Sequence, residues 1–408
     1  MFSKGNLYDV LIVGAGPAGM MAAYRAASFS EGGRRILLLE KNAEAGKKLL
    51  LAGSGQCNLT HAGKIDDFLS HYGRQGRFVK PALLHFTNAD LVQFFSQRGL
   101  ACQEREDGKI FPQTYQSRDV RRLFLQALAE KKVEIRYQQN VREIHLGEKL
   151  FQVETENHSF QTRKLILTTG GQSYPGTGST GDGFRLAERL SHTITPLAPA
   201  LAPVYVRDFT FASCAGISLP QTPFVLWRRG RKIAAYRGDL LITHGGLSGP
   251  GILDSSRDFQ KGDTLSLLFG SEERLLEILR EKGGRELRKM LSEKMGLPQR
   301  LAETLLSQAG VSPQRRGCDV TRNERKLLCN NVLQPTFEIA RLGNFREAMV
   351  TKGGVALSEV NRQTMESRLV PGLFFAGEIL DVDGDTGGYN LQFAFSSGFL
   401  AGEASREE

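Results

Sequence analysis

Tyr8-Asp-Val-Leu-Ile-Val13 is an apolar, β-branched run of the kind found in a strand buried on both faces. Gly14-Ala-Gly16-Pro-Ala-Gly19 follows at once and leads into good helix formers from Met20 to Ala27, after which Arg35-Ile-Leu-Leu-Leu-Glu40 is a second buried strand. A strand, a helix and a strand thus fit into about thirty residues, the size of a βαβ unit. Beyond a glycine-rich loop from Gly46 to Thr60, the pattern predicts helices at Pro81–His85 and Ala89–Arg98, the second capped by Asn88 and stopped by Gly99. Asp107-Gly-Lys-Ile-Phe-Pro112 reads as a turn with its returning strand, and Ser117 as the cap of a helix to Lys131. Short strands are expected at Glu134–Tyr137, Val141–His145 and Phe151–Glu154, and a buried one at Lys164–Thr169, ending in Gly170-Gly171.

Pro196, Pro199 and Pro203 then shift the composition and mark a boundary. Short strands at Phe224–Arg228, Lys232–Tyr236, Leu240–Thr243 and Thr264–Phe269 predict a small antiparallel sheet or barrel. From Ser271 to Asn330 the pattern is helical and charged, with Gly283-Gly284, Gly296 and Gly310 as breaks. Strands return at Ala348–Leu357 and Gly372–Ala376, and Leu391–Ala401 is a closing helix. The expected fold class is α/β: a discontinuous Rossmann-type domain over 1–195 and 335–408, an inserted β-rich, barrel-like domain over 196–270, and a small helical domain over 271–334.

The length of 408 residues fits two or three domains. Every apolar run is broken well short of a membrane span, and the first residues lack a small-residue cleavage site, so the expected location is the cytoplasm and no membrane partner is expected. Five cysteines without a C-x-x-C pair give neither a disulfide framework nor a zinc site, and no metal is expected. The net charge of +9 permits an acidic partner, yet acidic residues interleave with the basic ones. A solvated basic surface is therefore the preferred reading, with attraction of an anionic substrate next and nucleic acid an unlikely partner.

Gly14-x-Gly16-x-x-Gly19 gains meaning from its setting between a strand and a helix. The glycines allow a tight turn and close backbone approach, and the helix start, with Pro17 and Ala18, offers free N–H groups to a pyrophosphate. Glu40, at the end of the next strand, is placed to accept from a ribose. Lys41, which follows it, and Val141, which opens a short strand, are further candidate cofactor-binding residues. A second match, Gly176-Thr-Gly-Ser-Thr-Gly181, follows Pro175 and lacks the downstream acid, so it reads as a loop before a helix over Asp182–Leu190. No separate nicotinamide-binding fingerprint is visible, and NAD(P)H would have to dock as a transient co-substrate.

Several segments together resemble the BaiN/YhiN-like flavoproteins, also called the aminoacetone-oxidase family of FAD-binding enzymes, within the two-dinucleotide-binding flavoprotein superfamily. They are Gly46–Thr60, Gly108–Pro112, Thr243-His-Gly-Gly-Leu-Ser-Gly-Pro250, Thr351-Lys-Gly-Gly-Val355 and Phe375–Asn390, the last far more specific than the glycine fingerprint. The resemblance implies a discontinuous FAD domain interrupted by a barrel and a helical piece. It also implies that Gly377-Glu378 ends a late strand at the ribityl chain, and that the helix starting at Gly388, Tyr389, Asn390 and Leu391 points at the flavin pyrimidine, where its positive end would stabilise negative charge on reduced flavin. Thr169-Gly170 resembles a central flavoprotein segment. The loop Gly53-Ser54-Gly55-Gln56-Cys57-Asn58 is expected to cradle the cofactor; it carries Gln56 where the family usually has arginine, so Lys48 or Lys47 would supply the positive charge. Cys57 reads as packing rather than a redox thiol. His244, Tyr389 and Asn390 are the candidate catalytic residues, His244 as a substrate contact or proton donor. The implied activity is FAD-dependent oxidoreduction with non-covalent FAD and a small organic substrate. NAD(P)H-driven reduction of an activated C=C bond is preferred to O2-dependent oxidation of a small amino ketone, and a flavin-binding sensor or RNA-associated protein is the rival from another class.

Overall fold

The buried run near the N-terminus forms β1 (Leu7–Val13) in the computed structural model, which describes residues 7–29, 33–280 and 285–406. The reading of the first residues as lacking a leader and the glycine break at 283–284 lie outside them. β1 runs parallel to β2 (Ile36–Leu39) on one side and to the strand Ser159–Leu167 on the other, with Val10 opposite both Ile36 and Lys164. Glu134–Arg136 adds to β2, and Leu373–Phe375 adds to the second half of Ser159–Leu167, both parallel. The hairpin Val141–Leu146 and Phe151–Thr155 pairs antiparallel with the first half of the same long strand. β1 and β2 are nearly all apolar because both faces of a parallel sheet are covered. One cover is α1 (Pro17–Ala27), against which the C-terminal helix Tyr389–Ala404 lies so close that a Cβ on Gly398 would stand 2.2 Å from the Ala18 carbonyl oxygen.

The helix expected at Ala89–Arg98 spans Asn88–Ser96, and its cap is Thr87, not Asn88. Thr87 and Asp90 form a reciprocal capping box, while Asn88 Nδ2 donates to the His61 and Gly63 carbonyls. The helix expected at Pro81–His85 begins earlier, at Gly76, and carries Pro81 inside it.

The chain divides into two compact units, 1–199 with 349–408, and 200–348. In the second, Val204–Val206, Gly246–Ser248, Arg231–Ile242, Ser218–Arg228, Thr264–Leu267 and Thr336–Leu342 close a barrel. Two of these strands are longer than their alternating pattern indicated, and Thr336–Leu342, expected in the Rossmann part, pairs with Val204–Val206 and Thr264–Leu267. Closure accounts for it, because without this strand the barrel would keep two open edges. Helices Glu272–Arg280, Leu287–Met295 and Gln299–Gln308 share one apolar core with the barrel, so the β and α parts of the insertion form a single unit rather than two.

Candidate functional site

The carboxyl ends of β1, β2, Ser159–Leu167 and Leu373–Phe375 share one edge of the sheet because all four strands run parallel. Ligands of open α/β sheets bind at that edge. Gly14, at φ +102°, turns the chain from β1 into α1, whose first turn holds Pro17, no acidic residue and no side-chain cap. The first helical bond runs from Met20 N–H to the Gly16 carbonyl at 2.9 Å, so the amides of Ala18 and Gly19 have no partner within the helix. A Cβ on Gly16 would meet nothing within 4 Å, whereas one on Gly19 would lie 1.9 Å from the Gly14 oxygen. One glycine keeps space open before a positive helix end, and the other packs the helix on its own turn.

Glu40 is buried at the end of β2. Its Oε2 accepts from Ala15 N–H at 2.9 Å, and its Oε1 from Asn42 N–H at 2.8 Å and Asn42 Nδ2 at 2.7 Å. Three bonds leave room on a carboxylate with about four acceptor positions. The Gln139 amide donates to the Glu40 carbonyl at 2.9 Å, which brings the start of the strand at Val141 to this corner. Lys41 Nζ turns to Thr180 Oγ1 at 2.6 Å and Asp182 Oδ2 at 2.7 Å. Asp182 is pulled to about 2: burial would raise it, and the hydrogen bonds from Lys41 and Thr180 together with Arg185 outweigh that. The segment Gly176–Gly181 is a short turn leading into the helix Asp182–Arg189.

Farther along the edge, Gly53, Ser54, Gly55 and Cys57 all have positive φ, so the loop's backbone is strongly bent. Gln56 is exposed. Cys57 is fully buried, and burial together with the nearby Cys102 pushes its thiol far up. That thiol is protonated at neutral pH and packs like a small hydrophobe. Lys48 Nζ meets Glu378 Oε2 at 2.5 Å and Ser173 Oγ at 2.6 Å. The other Glu378 oxygen accepts from Ser173 Oγ and from the Thr351 amide, both at 2.8 Å, while Thr351 Oγ1 accepts from the amides of Gln172 and Ser173. Ser173 and Thr351 complete this network without a local sequence signal: Thr351 opens the Thr351–Val355 segment, but its partners Gln172, Ser173 and Glu378 are remote in sequence.

The helix Tyr389–Ala404 also starts without a side-chain cap or an acid in its first turn. Its N-cap Gly388 has φ +100°, and a Cβ there would lie 2.6 Å from the Thr60 backbone. Asn390 Oδ1 accepts from Gly384 N–H at 2.8 Å and its Nδ2 donates to the Gly384 and Asp385 carbonyls, so the carboxamide fixes the loop before the helix. The Tyr389 ring stacks between His71, at 4.0 Å, and His61, at 5.3 Å; His71 Nδ1 lies 2.9 Å from Asp385 Oδ2. Leu391 is half-buried. Around this edge, Asn58 Oδ1, Thr60 Oγ1 and Thr169 Oγ1 are buried polar atoms without a partner among the described residues. Such atoms normally have one. Two uncapped helix starts, the space before Gly16 and these three oxygens fit an elongated dinucleotide with a polar ring system.

His244 lies in the other unit, exposed on the turn between Arg231–Ile242 and Gly246–Ser248. The one group of possible metal ligands among the described residues, Glu143, His145 and Glu154, sits on the hairpin Val141–Leu146 and Phe151–Thr155, with Glu143 and His145 exposed. No helix among the described residues is long and apolar enough to cross a membrane.

The model of the HI0933-like protein Rossmann domain matches residues 8–404. The chain is 31% identical to the 3-dehydro-bile acid delta(4,6)-reductase of Clostridium scindens over 97% of this chain and 98% of that one. It is 29% identical to the ribosomal RNA dihydrouridine synthase of Escherichia coli over 97% of each. Among solved structures, 3-ketosteroid-delta4-(5alpha)-dehydrogenase from Rhodococcus jostii matches with a TM-score of 0.54 and 14% identity over 99% of this chain and 98% of that one, a likeness of fold. A glycine turn, an acid-tipped second strand and a late helix start on one sheet edge, matched over nearly the whole chain, place this protein in the HI0933-like family of Rossmann flavoproteins, the BaiN/YhiN type, and make it an FAD-dependent oxidoreductase.

Proposed function

We propose that this flavoprotein reduces a carbon–carbon double bond conjugated to a carbonyl, and that its substrate is a uracil ring in RNA. The observation that carries the reading is that two relatives of different substrate, each matched over 97% of this chain, are named for one bond change. Saturating uridine and saturating a steroid dienone both add a hydride and a proton across a C=C bond polarised by a neighbouring carbonyl. Against the expectation that nucleic acid is an unlikely partner, seven of the nine net positive charges fall within residues 200–348, and this concentration favours the polyanionic substrate. A polycyclic enone is the second reading, favoured by the 31% relative.

FAD, held non-covalently, would supply the hydride chemistry, with NAD(P)H as the reductant. The turn Gly14–Gly19 would take the pyrophosphate at the start of α1, and Glu40, Lys41 and Val141 would form the adenosine end. Gly53–Asn58, Thr169-Gly170, Gly377 and the helix start Gly388–Leu391 would form the flavin end, with Lys48 and Glu378 between. Tyr389 and Asn390 would act by position, since the ring is sandwiched and the carboxamide is bound to the loop. Proton delivery to the carbon next to the carbonyl would fall to His244.

The test is anaerobic incubation of the holoprotein with NADH or NADPH and an unmodified ribosomal RNA transcript, followed by nucleoside mass spectrometry. A two-dalton gain on uridine supports the reading. Oxidation of NAD(P)H by a 3-keto-4,6-diene with none by RNA selects the second reading, and reaction with neither overturns both.

A further inference from the structure

Residues 200–348 hold 23 Lys and Arg against 16 Asp and Glu, whereas the other 259 residues hold 30 against 28. The inserted unit therefore carries seven of the nine net positive charges. Its densest run is Arg228-Arg229-Gly230-Arg231-Lys232, and the fold sets it at the turn joining the two longest barrel strands. Arg229 and Gly230 have φ of +50° and +73°, the two positive values a type I′ hairpin turn needs, and Arg228 pairs across it with Arg231.

Arg228 is committed inward. Its Nε and Nη2 take both oxygens of buried Asp263 at 2.8 Å, and Nη2 also donates to the Asp258 carbonyl. This bidentate pair stiffens the base of the turn and occupies one neighbouring acid. The other, Asp258, accepts from Tyr236 OH at 2.9 Å. Arg229, Arg231 and Lys232 are exposed and have no acidic partner among the described residues; Lys261, two positions before Asp263, is exposed as well. Like charges facing each other across a hairpin weaken it. A rigid turn that nonetheless holds three unneutralised cations suits a partner that brings a regular row of negative charges.

We infer that the Arg229–Lys232 turn grips the sugar–phosphate backbone of RNA, an inference that rests on the RNA reading above and adds the surface that holds the substrate. Contacts of this kind position a polyanion without reading its bases.

The experiment compares holoprotein with the triple variant Arg229→Gln, Arg231→Gln, Lys232→Gln, and with Arg229→Lys, Arg231→Lys, in fluorescence anisotropy with a labelled RNA stem-loop over a series of salt concentrations. Each phosphate contact contributes about 0.7–0.9 to the salt slope, so the triple variant should flatten it by about 2 and weaken binding about tenfold or more at low salt. The lysine variant should keep most of the affinity, and FAD content should not change. RNA binding and a salt slope equal to wild type in the triple variant overturn the inference. So does a wild type that binds phosphatidylglycerol vesicles through the turn while ignoring RNA. Turnover distinguishes the two ideas: dihydrouridine formed with an unaltered salt slope removes the turn and leaves the reaction, whereas slope-dependent binding without dihydrouridine keeps the turn and removes the reaction.

Discussion

Lys48 and Glu378, 330 positions apart in the chain, meet at 2.5 Å from Nζ to Oε2 and join the bent loop after β2 to the end of the late strand Leu373–Phe375. The side chains keep 26% and 19% of their surface exposed, so the pair lies between a solvated bridge, worth little, and a buried one. Lys48→Met leaves Glu378 with Ser173 and the Thr351 amide only, and should lower stability by about 1–3 kcal/mol. Glu378→Gln keeps acceptors for Ser173 and Thr351, and should cost less. Thermal unfolding of both variants, with FAD content as a second readout, checks the order; a Lys48→Met protein as stable as wild type would mean that the pair is ornamental.

Two glycines of one motif should fail differently. Gly16→Val puts its side chain into open space, so the apoprotein should unfold at the wild-type temperature while purifying without yellow colour. Gly19→Ala drives a methyl to 1.9 Å from the Gly14 oxygen and should lower the unfolding temperature outright. Full flavin occupancy in Gly16→Val would refute the role given to the turn.

These glycines were legible in sequence because their meaning is local: buried strand, turn, helix start and acid-tipped strand lie within forty positions. The late helix start was legible for the same reason, through its dense motif. What the sequence hid was mostly distant. Ser173 and Thr351 are 178 positions apart and owe their place to a sheet edge that only the assembled fold creates. Thr336–Leu342 has a pattern that suits either unit, and barrel closure decides it. Thr87 was the exception, since its capping box with Asp90 is local and the neighbouring Asn88 simply offered an equally good cap residue.

The cysteines should separate by environment. Burial pushes Cys102 up to about 11 and Cys57 higher still, whereas Cys318 is exposed. With a thiol reagent at pH 8 the native protein should label Cys318 quickly and Cys57 only on unfolding. Rapid labelling of Cys57 with retained structure would reopen a redox role for it.

His244→Asn tests proton delivery. Loss of the donor should reduce kcat by about 10²-fold or more while leaving flavin reduction by NAD(P)H and RNA affinity unchanged. An equal fall in RNA affinity would make His244 a binding contact instead.

Acid should weaken the Rossmann unit in two steps of the same sign. His192 is buried, donates or accepts through Nε2 at 2.7 Å from Ser367 Oγ, and is lowered by desolvation against a raising influence from Glu359. The unfolded chain, with histidine near 6.5, binds the proton first, so this contribution is complete above about pH 6.5 and is lost as pH falls below it. Asp182 is held at about 2, and an unfolded aspartate titrates near 3.9, so its contribution is present above about pH 4 and is lost between there and about pH 2. Unfolding temperature against pH should therefore show two inflections. His192→Gln should remove the upper one and Asp182→Asn the lower, each leaving the other in place because the two side chains share no hydrogen-bond partner. An upper inflection that persists in His192→Gln would assign it to a different histidine, and a lower one that persists in Asp182→Asn would mean that the Lys41 contact does not hold that carboxylate down.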